Sequence, residues 1–295
     1  MSKIKVFKLG FTEFATKNVE KLKGYYTEIM GLKIVEEDGE GRVYLSIGLD
    51  HHNIVLTPGN ESGAKCYGYQ LDGQISLKEV QQLLKLEGIN SEIKSDAKPG
   101  VAEFLELTDP AGNVIHLYTN MEQSCIGFGK YGIVPLKLGH IAFEAKNFKK
   151  TLHFYKEVLG FYYTDMIGDE IGNFLTCNYE HHVINILQSN RTKMHHIAFQ
   201  LKDASHQYAS SDLLAKNGYP ILWGPSRHTA GHNIATYHYD PDQNLVELYT
   251  DMDVFIPELG IFEPRPWHKD MPQKPKKWEG LSNWETEFLK NLAQL

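Results

Sequence analysis

Residues 9–36 read "LGFTEFATKNVEKLKGYYTEIMGLKIVE", and residues 138–165 read "LGHIAFEAKNFKKTLHFYKEVLGFYYTD". The two stretches share one frame. Asn18 matches Asn147 and Gly31 matches Gly160, both 129 positions apart. The correspondence continues downstream. "LDHHNIVL" (49–56) matches "YEHHVINIL" (179–187), with His52 and His182 130 apart. "TDPAGNVIHLYT" (108–119) matches "YDPDQNLVELYT" (239–250), with Pro110 and Pro241 131 apart. An offset that drifts so little marks a duplicated domain.

A finer repeat lies inside the second half. The tetrapeptide "HIAF" occurs at 140–143 and again at 196–199, 56 residues on. Each copy leads through a polar turn into a helical pattern. The first spans 148–159, with Phe148, Leu152, Tyr155 and Leu159 on one face, Asn147 as N-cap and Gly160 as the stop. The second falls near 206–217 and is closed by Gly218. The first half has a helix at 77–87, opened by the capping box "SLKE" (Ser76 to Glu79) and followed by Gly88. Short strand-like runs such as "HVINIL" (182–187) and "IATYHY" (234–239) come after the helices. The unit is strand, helix, then several strands, starting near residues 6, 64, 136 and 193. The expected class is α+β, with antiparallel sheets carrying helices on one face. The expected domains are 1–125 and 126–255, each of two βαβββ modules, with 256–295 as a C-terminal extension.

Composition narrows the partners. A net charge of −7 with no long basic run argues against a nucleic-acid surface. The opening "MSKIKVFKLGFTEF" has no apolar signal region, and no apolar stretch is long enough for a membrane span. The cysteines, Cys66, Cys125 and Cys177, are odd in number and far apart, which fits reduced thiols in a cytoplasmic protein. The unusual feature is histidine: six of the 14 stand in pairs, at 51–52, 181–182 and 195–196.

Strand alternation sorts these rings. In 138–144, His140 shares a face with Leu138, Ala142 and Glu144, while Ile141 and Phe143 face the helix. The same rule puts His196 with Ala198 and Gln200, away from the helices, and His195 on the helix side. A lone histidine on a half-buried strand is more often structural than a ligand. Two at equivalent repeat positions, on one face, approach each other if the modules are related by a pseudo-twofold. Glu247 joins them from the apolar run "NLVELYT" (244–250). A carboxylate there is costly unless paired or metal-bound. Two His and one carboxylate form the facial triad of non-heme Fe(II) oxygen chemistry. In the first half the matching residues are Phe11, Cys66 and His116, an incoherent set. His52 then has no metal beside it and reads as framework or surface.

With these residues in view, the chain resembles the type I extradiol ring-cleavage dioxygenases, the catechol 2,3-dioxygenase-like enzymes of the vicinal oxygen chelate superfamily. The resemblance spans about 250 residues and rests on "LGHIAF" (138–143), "MHHIAFQ" (194–200) and "GPSRHTAGHNIATYHYDPDQNLVELYT" (224–250). It implies domains that form an incomplete barrel around a groove, of the glyoxalase/bleomycin-resistance/extradiol dioxygenase type, with no metal in the N-terminal domain. It implies His140, His196 and Glu247 as ligands of Fe(II), or of Mn(II), which accepts the same set. It further implies His182 as acid–base residue, His228 as a donor to bound substrate or oxygen, and Tyr237 beside the substrate hydroxyl. One residue is missing between His182 and "MHH" relative to the family. The substrates implied are a catechol-type diol and O2, in aromatic catabolism, and the family is usually oligomeric.

Two other functions use the same scaffold. A glyoxalase-like metal-dependent isomerase or lyase usually fills a fourth protein-ligand position and needs no His182, His228 and Tyr237 set. A metal-free binding protein predicts a broken triad, as in the first half. His228 and His232, four apart, suggest a separate metal pair, but "RHTAGHN" (227–233) reads as loop. His153, His206 and His268 read as solvent-facing or structural. Arg191 and Arg227 lie near enough to leave a carboxylated substrate open. The extension, with Trp267, Trp278 and Trp284, reads as a lid or subunit contact ending in a helix-like stretch.

Overall fold

The computed structural model describes residues 4–284, so the helix-like end of the extension lies outside the described residues. Four βαβββ modules follow one another. The first is β1 (Val6–Thr16), α1 (Val19–Gly24) running into a π-helical turn (Tyr25–Ile29), β2 (Lys33–Glu37), β3 (Val43–Ser46) and β4 (Ile54–Pro58). The second is β5 (Gly63–Leu71), α2 (Leu77–Leu86), β6 (Ser91–Lys98), β7 (Val101–Thr108) and β8 (Val114–Tyr118). The third is β9 (Lys137–Ala145), α3 (Phe148–His153) with a π-helical turn (Phe154–Val158), β10 (Tyr162–Ile167), β11 (Gly172–Thr176) and β12 (Ile184–Gln188). The fourth is β13 (Lys193–Gln200), α4 (Ala204–Lys216), β14 (Trp223–Arg227), β15 (Ile234–Tyr239) and β16 (Leu245–Thr250). The extension adds β17 (Phe255–Ile256), β18 (Ile261–Phe262) and β19 (Lys277–Trp278). Among the described residues no helix is long and apolar enough to cross a membrane.

The sheets are mixed, which corrects the antiparallel expectation. Within a module β1 runs parallel to β4, β5 to β8 and β13 to β16. The cause is topological. The helix carries the chain back, and three meander strands then end in the direction of the first strand. Two modules share one sheet through their first strands, with β1 antiparallel to β5. The first sheet has the order β2-β3-β4-β1-β5-β8-β7-β6, and the second β14-β15-β16-β13-β9-β12-β11-β10-β19. The two halves of each sheet mirror each other about the central pair. That symmetry brings equivalent positions of two modules together.

Local signals behaved unevenly. Ser76 and Glu79 form the expected capping box on α2. Asn18 caps α1 by accepting from the Lys21 N–H at 3.0 Å. Asn147 makes no such cap on α3; its Nδ2 donates to the Pro110 carbonyl instead, at 2.9 Å. The helix expected over 148–159 widens after His153 into the π-helical turn, where the Leu159 N–H reaches back five residues to the Phe154 carbonyl.

By contacts the chain forms two compact units. One gathers the chain up to Val134 with Ala145–Phe161 and Ser189–Lys193; the other gathers Pro135–Glu144, Tyr162–Gln188 and the chain from Met194. A single cut at 125/126 does not separate them, because the segment around α3 packs with the first unit. There the Tyr155 hydroxyl donates to Asp109 at 3.0 Å and its ring lies against Tyr69. Nor does the extension stand apart as a third unit.

Gly10 and Gly139, at matching positions of the two sheets, are fixed by packing. A Cβ at Gly139 would lie 2.0 Å from the Tyr249 hydroxyl, and one at Gly10 1.7 Å from the Tyr118 hydroxyl. Tyr249 is fully buried and its ring sits 5.1 Å from that of His140. Gly139→Ala is expected to cost about 1–3 kcal/mol through overpacking, seen as a lower melting temperature by calorimetry.

Candidate active site

β9, β13 and β16 of the second unit converge on one point. The register pairs Ala198 with Glu247, so Glu247 stands beside β13 on the face that carries His196. His140 Nε2 lies 3.2 Å from His196 Nε2 and 3.2 Å from Glu247 Oε2, and His196 Nε2 lies 3.1 Å from that oxygen. All three side chains are buried. Tyr237 donates its hydroxyl to Glu247 Oε2 at 2.7 Å, and Asn233 donates Nδ2 to Oε1 at 2.8 Å. Burial pushes the Glu247 carboxyl up, but His140 and then His196 draw it well below the usual carboxylate range. Burial lowers the His196 ring, against the pull of Glu247.

The donor set fits a metal ion. Two imidazole nitrogens and a carboxylate oxygen make a nearly equilateral triangle, with the separation expected of neighbouring ligands about 2.0–2.2 Å from one ion. Outside the triangle, His196 Nδ1 lies 2.7 Å from His195 Nδ1. His195 thus holds the His196 ring, in the manner of outer partners of metal-bound histidines. Alternation alone had left it without a role.

The other rings singled out in the sequence stand around the triad. The His182 ring centroid is 4.3 Å from that of His140 and 4.9 Å from that of Phe174. His228 Nε2 lies 3.0 Å from the Tyr237 hydroxyl, and its ring stacks on Trp223 at 4.9 Å. Tyr237 is paired with Glu247 across β15 and β16, which fixes its reach. Burial lowers His182 well below its ordinary value, helped by His140 and His181, and lowers His228 as well. Burial and Glu247 push Tyr237 well above the usual phenol range. His238, the alternate neighbour of Tyr237, is fully buried and lowered to about 3 by that burial.

The first unit shows what replaced the site. The Phe11 ring fills the place matching His140, and a Cβ at Gly68 would fall 2.1 Å from it. Cys66 Sγ lies 3.7 Å from His116 Nδ1, and His116 Nε2 3.0 Å from Glu106. Glu13 pairs with buried Lys98 at 2.5 Å and with Lys65 at 2.9 Å. Among the described residues no candidate metal cluster falls in this unit. His52 is fully buried and packs on Phe11, so framework is right and surface is not. Burial, then Glu13, pushes the Cys66 thiol up, and burial does the same to Cys177, whereas Cys125 is exposed. A thiol reagent is therefore expected to modify Cys125 rapidly in the native protein and to spare the other two, read by mass spectrometry.

A second cluster, His232, Asp253 and His268, belongs to the scaffold. Asp253 accepts from His232 Nδ1 at 2.6 Å, from His268 Nε2 at 3.0 Å and from Trp267 Nε1 at 3.1 Å. Nitrogens that give protons to a carboxylate have no lone pair left for a metal. The cluster ties the extension down. Burial raises the Asp253 carboxyl, but His232 and its neighbours bring it below the ordinary value. Its stabilisation is then complete above the unfolded value, about 3.9, and fades as pH falls through the lower folded value. Asp253→Asn should destabilise most at pH 7 and least near pH 3, by urea unfolding. Arg227 also faces the extension, donating to the His232 carbonyl at 2.6 Å and stacking 4.0 Å over Trp267.

Sequence reasoning missed Asn233, which follows a conspicuous histidine in the same loop, and Asp165. It also missed Asn185, paired with Phe174 across β11 and β12 as Glu247 is paired with Tyr237. Its buried Oδ1 has no hydrogen-bond partner in the described structure.

The family model described as Glyoxalase/Bleomycin resistance protein/Dioxygenase superfamily matches residues 137–248. A metapyrocatechase of Pseudomonas sp. (strain CF600) is 23% identical over 271 residues, covering 84% of this chain and 87% of that protein. A 2,3-dioxygenase from Pseudomonas sp. KL28 superposes with a TM-score of 0.80 at 22% identity, covering 92% of this chain and 98% of that one. The Mn(II)-bound glyoxalase from Novosphingobium aromaticivorans superposes with a TM-score of 0.82 at 23% identity, covering 96% and 91%. The structural likenesses establish the fold, two curled mixed sheets of βαβββ modules.

Proposed function

We infer, from a chain whose residues 137–248 belong to the Glyoxalase/Bleomycin resistance protein/Dioxygenase superfamily, that the second unit is an extradiol dioxygenase site. It holds one Fe(II) on His140, His196 and Glu247 and opens the ring of a catechol-type diol with O2. The observation that carries this reading is the buried triangle of donors with edges of 3.1–3.2 Å. Such an ion would acidify the diol and relay electrons from it to O2.

The chain's own residues do the rest. Asn233 and Tyr237 orient Glu247 through its two oxygens. Tyr237 and His228 form a polar edge where the substrate hydroxyls and the developing negative charge are met. His182, kept neutral by burial, takes the second diol proton and returns it to the ring-opened product. Phe174 and Trp223 back these rings and limit water.

The Mn(II)-bound glyoxalase neighbour keeps an isomerase or lyase as the second reading. His182, His228 and Tyr237 around the triad favour the dioxygenase, because an isomerase of that kind has no need of them. The test is to load the protein with Fe(II) without air, add a panel of substituted catechols, and admit oxygen. Oxygen uptake with a yellow ring-fission product is expected. One bound metal and no uptake with any catechol would sink the reading.

A further inference from the structure

We propose that Asp165, His181 and the strap of residues 276–281 set the proton positions on the two histidines beside the triad, so that His182 and His228 each carry the proton on Nδ1 and present Nε2 as acceptor. The inference rests on the reading above only in giving those two rings a role in the reaction.

The direction of the chain of hydrogen bonds starts at Asp165, which is buried. Its Oδ2 lies 2.9 Å from His181 Nε2 and 2.7 Å from Trp278 Nε1, and its Oδ1 accepts the Lys276 backbone N–H at 2.8 Å. A carboxylate only accepts, so a neutral His181 ring carries its proton on Nε2 and leaves Nδ1 as acceptor. That Nδ1 lies 2.9 Å from His182 Nδ1. His182 must therefore donate from Nδ1 and keep its lone pair on Nε2. Gly231 makes room for this contact, since a Cβ there would stand 2.8 Å from His181 Nδ1.

The second ring is set by the same strap. His228 Nδ1 lies 3.0 Å from the Leu281 carbonyl, which only accepts. A neutral ring protonated on Nδ1 keeps its lone pair on Nε2, which lies 3.0 Å from the Tyr237 hydroxyl oxygen. The strap is held in register by β19, which pairs with β10 at Met166 and Ile167, and by Asn283, which donates to the His228 carbonyl. The first half has the paired rings without the strap. His51 and His52 bring their Nδ1 atoms to 3.1 Å, but His51 Nε2 faces the exposed Glu36 at 3.4 Å. The device is complete only in the unit that has the triad.

Long-range proton–nitrogen correlation spectra of the histidine rings, recorded on the full chain without metal, test this directly. Wild type is expected to show Nδ1–H for both His182 and His228. Asp165→Asn can donate as well as accept, so it should turn His182 toward Nε2–H and leave His228 unchanged. Trp278→Phe, which keeps the ring and removes one donor to Asp165, leaves a carboxylate that still only accepts and should keep His182 as Nδ1–H. In the Fe(II) enzyme, Asp165→Asn should retain one metal per chain and lower kcat about tenfold to a hundredfold, with KM little changed. His182 found as Nε2–H in wild type, unmoved by Asp165→Asn, or moved by Trp278→Phe, would overturn the proposal. The spectra do not depend on turnover, so an enzyme inactive on every catechol would count against the dioxygenase reading alone.

Discussion

Glu247→Ala is expected to leave the protein unable to retain iron. The carboxylate supplies the only negative charge in the triad, and its Oε2 sits within 3.2 Å of both ring nitrogens. Two neutral imidazoles alone would bind Fe(II) far more weakly, by well over about a hundredfold on the scale of outer-partner losses. The variant also strands Tyr237 and Asn233, whose donors lose their acceptor, at about 1–3 kcal/mol each. Metal analysis after anaerobic loading and desalting should fall from one iron per chain to near zero, with turnover lost in parallel. His116→Ala, at the matching position of the first unit, should leave the metal content unchanged. Metal lost in His116→Ala but kept in Glu247→Ala would mean that the two units had been read the wrong way round.

His182→Ala should separate chemistry from binding. The ring touches His140 but gives no atom to the donor triangle. One iron per chain is therefore expected to remain, while kcat falls by about 10²–10⁴, the range for losing a positioned acid–base group. Anaerobic binding of a chromogenic catechol should change little. A variant that loses its metal would make His182 a ligand and overturn its role as the base.

Much of this was legible because the chain repeats itself. A period of 129–131 residues exposed the duplication, and alternation on "HIAF" (140–143 and 196–199) chose His140 and His196 over their neighbours. Glu247 stood out as a carboxylate in an apolar strand, and the family resemblance supplied His182, His228 and Tyr237. What escaped was set by distant partners. Asp165 sits on β10, and its hydrogen bonds come from His181 and from the strap more than a hundred residues away. Spacing could not reveal that pairing. Sheet direction was missed because it depends on counting the meander strands after each helix. The extension's described residues lie against Asp165, His228 and Asp253 of their own unit, contacts that spacing does not reveal.

The most direct test of the central claim is a single turnover of the Fe(II)-loaded protein with a reactive catechol under ¹⁸O₂, read by mass spectrometry of the product. The account predicts a ring-opened acid carrying ¹⁸O in its new carboxyl group, at one product per iron-bearing chain. A product isomeric with its substrate and free of ¹⁸O would contradict it.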